Sequence, residues 1–369
     1  MSRGPEGLSV GLLNPFFWPE VRRGSERIVH DLAVDLLALG YRPTLITSHP
    51  GAPRRSVEDG FPVIRHWRPP EPWTMRGIEP HLSHVPFSYR SLSAGEFDLA
   101  HAFYPTDALA AVRWAERSER PAVFSYMGRA TRRMLSYKRL RKPILERVIG
   151  RSDAIVALSR SARDSLWRWF GVEARVIYPA VDLEAFTPGD PGARAEQPTI
   201  ACAAAVDDPR KRIGLLLRSF ARVRDARPTA RLLLTRPRRE DLARQLTEGH
   251  PGVELVAPGR PAASFREAWA TGLASYNEAF GLVLVESLAC GTPVFGAREG
   301  GVPEIVDSPS VGRLFEGDDE RDVAAAILET LDMSEDPATA AACRARAEAF
   351  DVRSTTLAHV RLYEELAGG

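Results

Sequence analysis

The residues best suited to chemistry cluster in one stretch, SYNEAFGLVLVESLACGTPVFGAREGGVPEIV (275–306). Its pattern predicts a strand ending near Tyr276, a loop at Asn277 and Glu278, and a helix beginning near Phe280 or Gly281. The first amides of such a helix lack intrahelical partners and form a site for an anion or a hydroxyl. Gly281 lets a ligand approach the backbone closely. Glu278, just outside the helix, can accept two hydroxyl hydrogens at once. Glu286 interrupts the apolar run LVLVESLAC, where a carboxylate is costly unless it is paired or meets a polar ligand. Vicinal ribose hydroxyls would satisfy it, as an acidic residue does in dinucleotide sites. The alternative is that Glu278 is a helix-terminal acid and Glu286 a solvated helix residue.

The elements that must position these groups alternate along the chain. Short apolar runs at SVGLL (9–13), TLIT (44–47), FDLAHAF (97–103), PAVFSY (121–126), AIVALS (154–159) and RVIYP (175–179) read as strands. Helical periodicity separates them, as in Ser25–Leu39, which Gly40 closes. A Pro-, Gly- and Ala-rich stretch at 179–198 reads as a linker. A second series follows: TIACAAA (199–205), the helix IGLLLRSFARVRDA (213–226), ARLLLT (230–235), VELVAP (253–258), GLASY (272–276) and TPVFG (292–296). Strand–helix alternation twice over predicts two parallel, helix-covered sheets joined by a hinge, with ligands at the carboxyl ends of the strands.

Composition excludes several classes. The 369 residues are 44% hydrophobic and 26% charged, which is globular rather than disordered or fibrous. A net charge of +1 argues against general nucleic-acid binding. The three cysteines, Cys202, Cys290 and Cys343, are far apart and form neither a disulfide framework nor a zinc motif. No Gly-x-Gly-x-x-Gly follows the first strand and no Walker-type loop occurs, which argues against nicotinamide or P-loop chemistry. His81-x-x-His84 sits in a Pro-rich stretch and reads as loop or acceptor-site residues rather than as a metal pair. The N-terminal apolar core is too short for a signal peptide, and no uncharged apolar run reaches membrane-spanning length. The expected setting is cytoplasmic.

Within 275–306, Glu278, Phe280, Gly281, Glu286, Ala289, Cys290, Gly291, Thr292, Pro293, Gly300, Gly301, Pro303 and Glu304 stand in register with a known signature. The segment resembles the nucleotide-sugar site of retaining glycosyltransferases of the two-Rossmann (GT-B) fold, in particular glycosyltransferase family 4, with its EGFG…EAMACGTPV…GGIPE pattern. FWPEVRRGSERIVHDL resembles the family's opening, FDLAHAF its first-domain His strand, and VDDPRKRIGLLLRSF the stretch carrying a diphosphate-binding lysine, here Lys211. The resemblance implies an α/β chain with two doubly wound parallel-sheet domains facing an interdomain cleft. Residues 1–183 would bind the acceptor and 184–349 the nucleotide sugar, and 350–369 would form a helix crossing back to the first domain.

The implied reaction moves a sugar from a nucleotide diphosphosugar to an acceptor hydroxyl with retention, without a metal or other cofactor. No Asp-x-Asp pair, the metal-holding motif of the other common transferase fold, is present. The resemblance gives Glu278 and Lys211 catalytic roles. It gives the donor site Arg23, Gly24, Arg210, Ala279, Phe280, Gly281, Leu282 and Glu286. Phe17, His101 and Met127 fall on the acceptor side, with Phe16 and Trp18 as a potential stacking platform and His101 as a core or supporting residue.

Three positions depart from the family. Met127-Gly128 stands where His-Gly is usual, Ala205 falls where a Gly-Arg pair is expected, and Arg23 replaces the first Gly of the N-terminal pair. Arg23, Arg210, Arg212 or Arg236 would have to supply the missing diphosphate cation. These departures leave a second reading, a catalytically weakened transferase-like protein that binds a nucleotide sugar or a partner.

Charge is uneven. Residues 1–185 hold 27 basic and 20 acidic groups, and the segment 128–151 alone holds nine Lys/Arg against one Glu. That segment is either a peripheral contact with the inner face of a membrane, or a solvated basic face. The acceptor class stays open among lipid-linked, polysaccharide and small-molecule candidates. The Ala/Arg-rich composition points to a GC-rich bacterial source.

Overall fold

The computed structural model describes residues 7–21, 24–69, 79, 81–136, 138–190, 192–259 and 261–368. The chain forms two compact units, one of residues 1–179 with 352–369 and one of residues 180–351.

In the first unit the strands are β1 (Ser9–Leu13), β2 (Arg42–His49), β3 (Arg54–Glu58), β4 (Phe61–Trp67), β5 (Leu99–Ala102), β6 (Ala122–Tyr126), β7 (Ala154–Ala157) and β8 (Arg175–Val176). Among the described residues they form one sheet in the order β3-β4-β2-β1-β5-β6-β7-β8. Every pairing is parallel except β3 with β4. Helices α1 (Gly24–Ala38), α2 (Val85–Ala94), α3 (Pro105–Ser118), α4 (Arg132–Ser136), α5 (Arg141–Ile149) and α6 (Arg160–Phe170) connect the strands.

Strand side chains alternate between two faces, so a sheet covered on both sides needs an apolar residue at almost every position. The core divides accordingly. Leu13, Ile46, Ala102 and Phe124 pack with α3, α5 and α6 residues on one face. Val10, Leu12, Leu45 and Val123 pack on the other with Val29 and Leu36 of α1. Asp59 and Gly60, both at positive φ, make the tight turn between β3 and β4.

The second unit contains β9 (Thr199–Cys202), β10 (Arg231–Thr235), β11 (Val253–Val256), β12 (Ala270–Leu273), β13 (Val294–Ala297) and β14 (Gly312–Phe315). Its sheet is parallel throughout, in the order β11-β10-β9-β12-β13-β14. Its helices are α7 (Ile213–Ala226), α8 (Glu240–Thr247), α9 (Pro261–Glu267), α10 (Leu282–Ala289), α11 (Val302–Ile305), α12 (Glu320–Met333) and α13 (Pro337–Glu348). Asp319 and Asp336 cap α12 and α13 by accepting from the amides of Arg321 and Ala338. The strand order reverses between β9 and β12, and an open α/β sheet offers its ligand crevice at such a switch point.

Helix α14 (Val352–Gly368) follows the second unit in sequence but belongs to the first. Its Leu362 and Tyr363 are fully buried there. The Tyr363 hydroxyl lies 2.6 Å from His101 Nδ1, and His101 Nε2 lies 2.7 Å from the Ser125 hydroxyl. Arg175 pairs with Glu365 at 2.7 Å, and the Tyr41 hydroxyl donates to Glu364.

Burial pushes the imidazoles of His359, His81 and His66 down to about 4, with nearby positive groups assisting at His81 and His66. Burial also holds His101 well below its ordinary value. Such groups are neutral in the fold but protonate once unfolded. Stability is therefore full above about pH 6.5, and each such group withdraws about 1.4 kcal/mol per pH unit as pH falls toward its folded value. At His30 burial acts in the lowering direction too, but Asp31 and Asp59 outweigh it and raise its pKa, so His30 acts in the opposite sense. The expected result is a urea midpoint that falls steadily between pH 7 and pH 5, with a shallower fall in His359→Asn. A midpoint that is flat or rises over that interval would contradict this assignment.

Candidate functional site

The loops that leave the carboxyl ends of β9 and β12 carry the two strongest candidates. After β9 the chain turns through a short 3-10 helix, Pro209–Lys211, capped by the Asp208 carboxylate on the amide of Arg210. After β12 it runs through Tyr276, Asn277 and Glu278 into α10. Lys211 Nζ lies 2.7 Å from Glu278 Oε2, with both side chains about four-fifths shielded, at 17% and 20% exposure. The amide of Tyr276 donates to the carbonyl of Arg210 at 3.0 Å, so the two loops are also joined by backbone.

The Glu278 loop is braced from β13. Gly301 N donates to Glu278 O at 3.1 Å, and the Glu299 carboxylate accepts from Asn277 N at 3.1 Å. A Cβ on Gly300 would lie 2.1 Å from Glu278 O, and one on Gly301 would lie 2.6 Å from Ala279 O. The Gly-Gly pair is therefore required by close backbone approach. Gly281 takes φ +111° at the start of α10, a conformation that L side chains rarely adopt.

Ala279 and Phe280 are buried, and Phe280 packs edge-on against Phe350 at 5.4 Å. Leu282, the first residue of α10, is half-buried, and Glu286 is fully buried within that helix. The arrangement can hold hydroxyls at a carboxylate and an anion at an adjacent ammonium. A carboxylate has about four lone-pair sites, so one ion pair leaves Glu278 with acceptor capacity.

The cations that the sequence offers besides Lys211 differ in what they already hold. Arg210 pairs with Asp208 at 2.6 Å, and that hydrogen bond raises its pKa. Arg236 pairs with Glu240 at 2.5 Å. Arg212 bonds to two backbone carbonyls instead. Arg23 lies outside the described residues. Gly24 opens α1 in the first unit, and a Cβ there would meet nothing within 4 Å. Ala205 is exposed, and its carbonyl accepts from Asp208 N at 3.0 Å.

On the expected acceptor side, Phe17 is 3% exposed and packs among Trp18, His30 and Phe61. His101 is fully buried, with Tyr363 and Ser125 at its two nitrogens. Both are packing residues of the first unit and present no surface to an acceptor. Met127 is half-buried and lines a small crevice with Ser125, Tyr178, Thr355 and His359. Phe16 is half-buried beneath the Arg68 guanidinium, 4.7 Å from its ring centroid. His84 is buried against Asp107 at 2.6 Å.

Sequence reasoning missed two bracing groups, Asp208 and Glu299. Asp208 had a usable signal, an Asp directly before Pro at a helix start.

In the basic segment 128–151, Arg141 makes a bidentate contact with the buried Glu79, Lys142 pairs with Glu146, and Arg147 and Arg151 pair with Glu116. Among the described residues no helix is long and apolar enough to cross a membrane.

Comparison with known proteins identifies relatives of both units. Residues 22–185 match the family model "Glycosyltransferase Family 4", and residues 197–333 match "Glycosyl transferases group 1". The D-inositol 3-phosphate glycosyltransferase of Geodermatophilus obscurus is 33% identical over 258 residues, covering 60% of this chain and 55% of that protein. Its counterpart in Streptomyces avermitilis is 31% identical over 285 residues, covering 67% and 60%. The matched region thus spans between half and three-fifths of these two curated relatives.

Among solved structures, sucrose-phosphate synthase from Thermosynechococcus elongatus superposes with a TM-score of 0.83 at 22% identity, covering 97% of this chain and 99% of that one. Anabaena HepE in complex with UDP and glucose gives 0.76 at 17% identity, covering 97% and 100%. The chain belongs to glycosyltransferase family 4, and its two parallel-sheet α/β units have the GT-B fold.

Proposed function

We propose that this glycosyltransferase moves a sugar from a uridine diphosphosugar to an acceptor hydroxyl with retention of anomeric configuration and without a metal. The observation that carries the reading is the Lys211–Glu278 pair at the switch point of the second sheet. A donor bound there would set its diphosphate against Lys211 and its sugar hydroxyls against Glu278 and the amides of Ala279, Phe280 and Gly281. Glu286 would hold the ribose. UDP is favoured because HepE, a structural neighbour, is described in complex with UDP and with UDP-glucose.

In the proposed step the acceptor oxygen bonds to the anomeric carbon as the bond from that carbon to the diphosphate oxygen breaks. The acceptor proton passes to the departing phosphate oxygen, and nucleoside diphosphate is released. Negative charge grows on that leaving group, and Lys211 would meet it. Preorganised charge of this kind is usually the largest catalytic contribution. The acceptors of the curated relatives, by their names, include a phosphorylated inositol.

The second reading, a weakened transferase-like protein, rests on Met127 and Ala205. Release of nucleoside diphosphate separates the two. UDP and UDP-glucose, screened with their GDP and ADP counterparts, should raise the melting temperature in proportion to the logarithm of ligand over dissociation constant. Turnover should fall about 100-fold in Lys211→Ala and in Glu278→Ala. It should survive dialysis against EDTA, and proton NMR of the product should show the donor's anomeric configuration. An inverted product, or loss of rate with EDTA, would refute the corresponding part of the reading.

The bracing of the Glu278 loop is tested separately. Gly300→Ala puts a Cβ into Glu278 O at positive φ, and a destabilisation of about 2 kcal/mol or more is expected. The same variant should lose the thermal shift with UDP. Wild-type melting together with a wild-type shift would show that the Gly-Gly contact is dispensable.

A further inference from the structure

Arg212 has a backbone conformation that does not suit it. It sits at φ +47° and ψ +43°, in the left-handed region, between the Lys211 turn and the first residue of α7. Glycine enters that region freely, and Asn or Asp tolerate it, whereas an arginine there is uncommon. Strain of this kind persists only where the surroundings enforce it.

Both backbone and side chain hold Arg212: its amide donates to the Pro209 carbonyl at 3.2 Å, and its carbonyl accepts from Leu215 N and Leu216 N at 2.9 and 3.1 Å. Nε donates to the Ala274 carbonyl at 2.5 Å, Nη1 donates to the Gly317 carbonyl at 3.2 Å, and the guanidinium lies 6.0 Å from the Tyr276 ring centroid. Ala274 begins the loop that carries Glu278, and Gly317 lies in the loop after β14. One planar fork anchored beside Lys211 thus ties three loops at the carboxyl end of the sheet. Among the described residues Arg212 makes no ion pair, unlike Arg210 and Arg236, so its charge is not neutralised by a carboxylate.

We infer that Arg212 is a positioning residue: its guanidinium fork fixes the Lys211 turn to the Glu278 loop, so that the ammonium is delivered to the donor diphosphate. The inference rests on the donor-site reading above. It predicts a separation that a merely structural strut would not give. Glycine takes the observed φ without strain but has no fork, and lysine keeps the charge but cannot bridge two carbonyls in one plane.

The test uses the full chain with UDP-glucose, GDP-mannose and ADP-glucose as probes, following release of nucleoside diphosphate with water as acceptor. Arg212→Gly should melt within a few degrees of wild type, yet turn over at least tenfold more slowly. Millimolar methylguanidine should restore part of that rate. Arg212→Lys should be similarly slow. The inference is overturned if Arg212→Gly keeps the wild-type rate. It is equally overturned if its loss of rate merely follows a fall in melting temperature and methylguanidine restores nothing. Lys211→Ala, run in parallel, distinguishes the two levels. If it is inactive while Arg212→Gly is fully active, only the role of Arg212 falls. If it is as active as wild type, or if none of the three donors raises the wild-type melting temperature, the donor-site reading falls and this inference with it.

Discussion

One ion pair organises the second unit's site. Lys211 and Glu278 are 67 residues apart in sequence, yet their charged atoms stand 2.7 Å apart behind partial shielding from water. Such a pair contributes little net stability, because the cost of partly desolvating both charges and of ordering two long side chains offsets their attraction. The value of this one is geometric. It places a cation next to a hydroxyl-accepting anion at the point where the strand order reverses, and the backbone bond from Tyr276 to Arg210 and the Gly300–Gly301 contact hold it there.

Much of the fold was legible because parallel strands covered on both faces must be apolar at almost every position. SVGLL, PAVFSY, AIVALS and TIACAAA announced themselves for that reason, as did the α7 helix with its amphipathic period. The elements that escaped lacked that constraint. The β3–β4 hairpin lies at the sheet edge and reads as RRSVE and FPVIRHW, too polar for a buried run, although Asp59-Gly60 was a usable turn signal. GRLF of β14 is too short and carries an arginine. Strand ends ran long in the sequence reading, since the apolar pattern continues past the last ladder bond, as at Ala203–Ala205.

The site divides in the same way. Glu278 and Gly281 stood out by residue type and by their place at a helix start, whereas Lys211 was singled out only through the resemblance to the family. The acceptor side was less legible: Phe17 is buried, and His101 is buried as the core or supporting residue that its strand position suggested. His101 and Phe17 stand at or after the ends of β5 and β1, but position along a strand does not say where the side chain goes. Adjacent residues face opposite sides of a sheet, and His101 turns toward α14, a helix 262 residues away in sequence. Arg212 was legible as a cation but not as a clamp, because the sign of its φ and the two carbonyls it reaches exist only in the folded chain.

The placement of α14 has a consequence for how the molecule is made. Leu362 and Tyr363 complete the interior of a unit whose first strand begins at Ser9. During synthesis the earlier portion leaves the ribosome with His101 still waiting for its hydroxyl partner, and the whole of the second unit must be translated before that partner exists. Contacts so distant in sequence slow folding and leave apolar surface uncovered in the interval. The second unit, whose residues are contiguous, is under no such delay. The growing chain is thus most vulnerable to aggregation in the part that was made first.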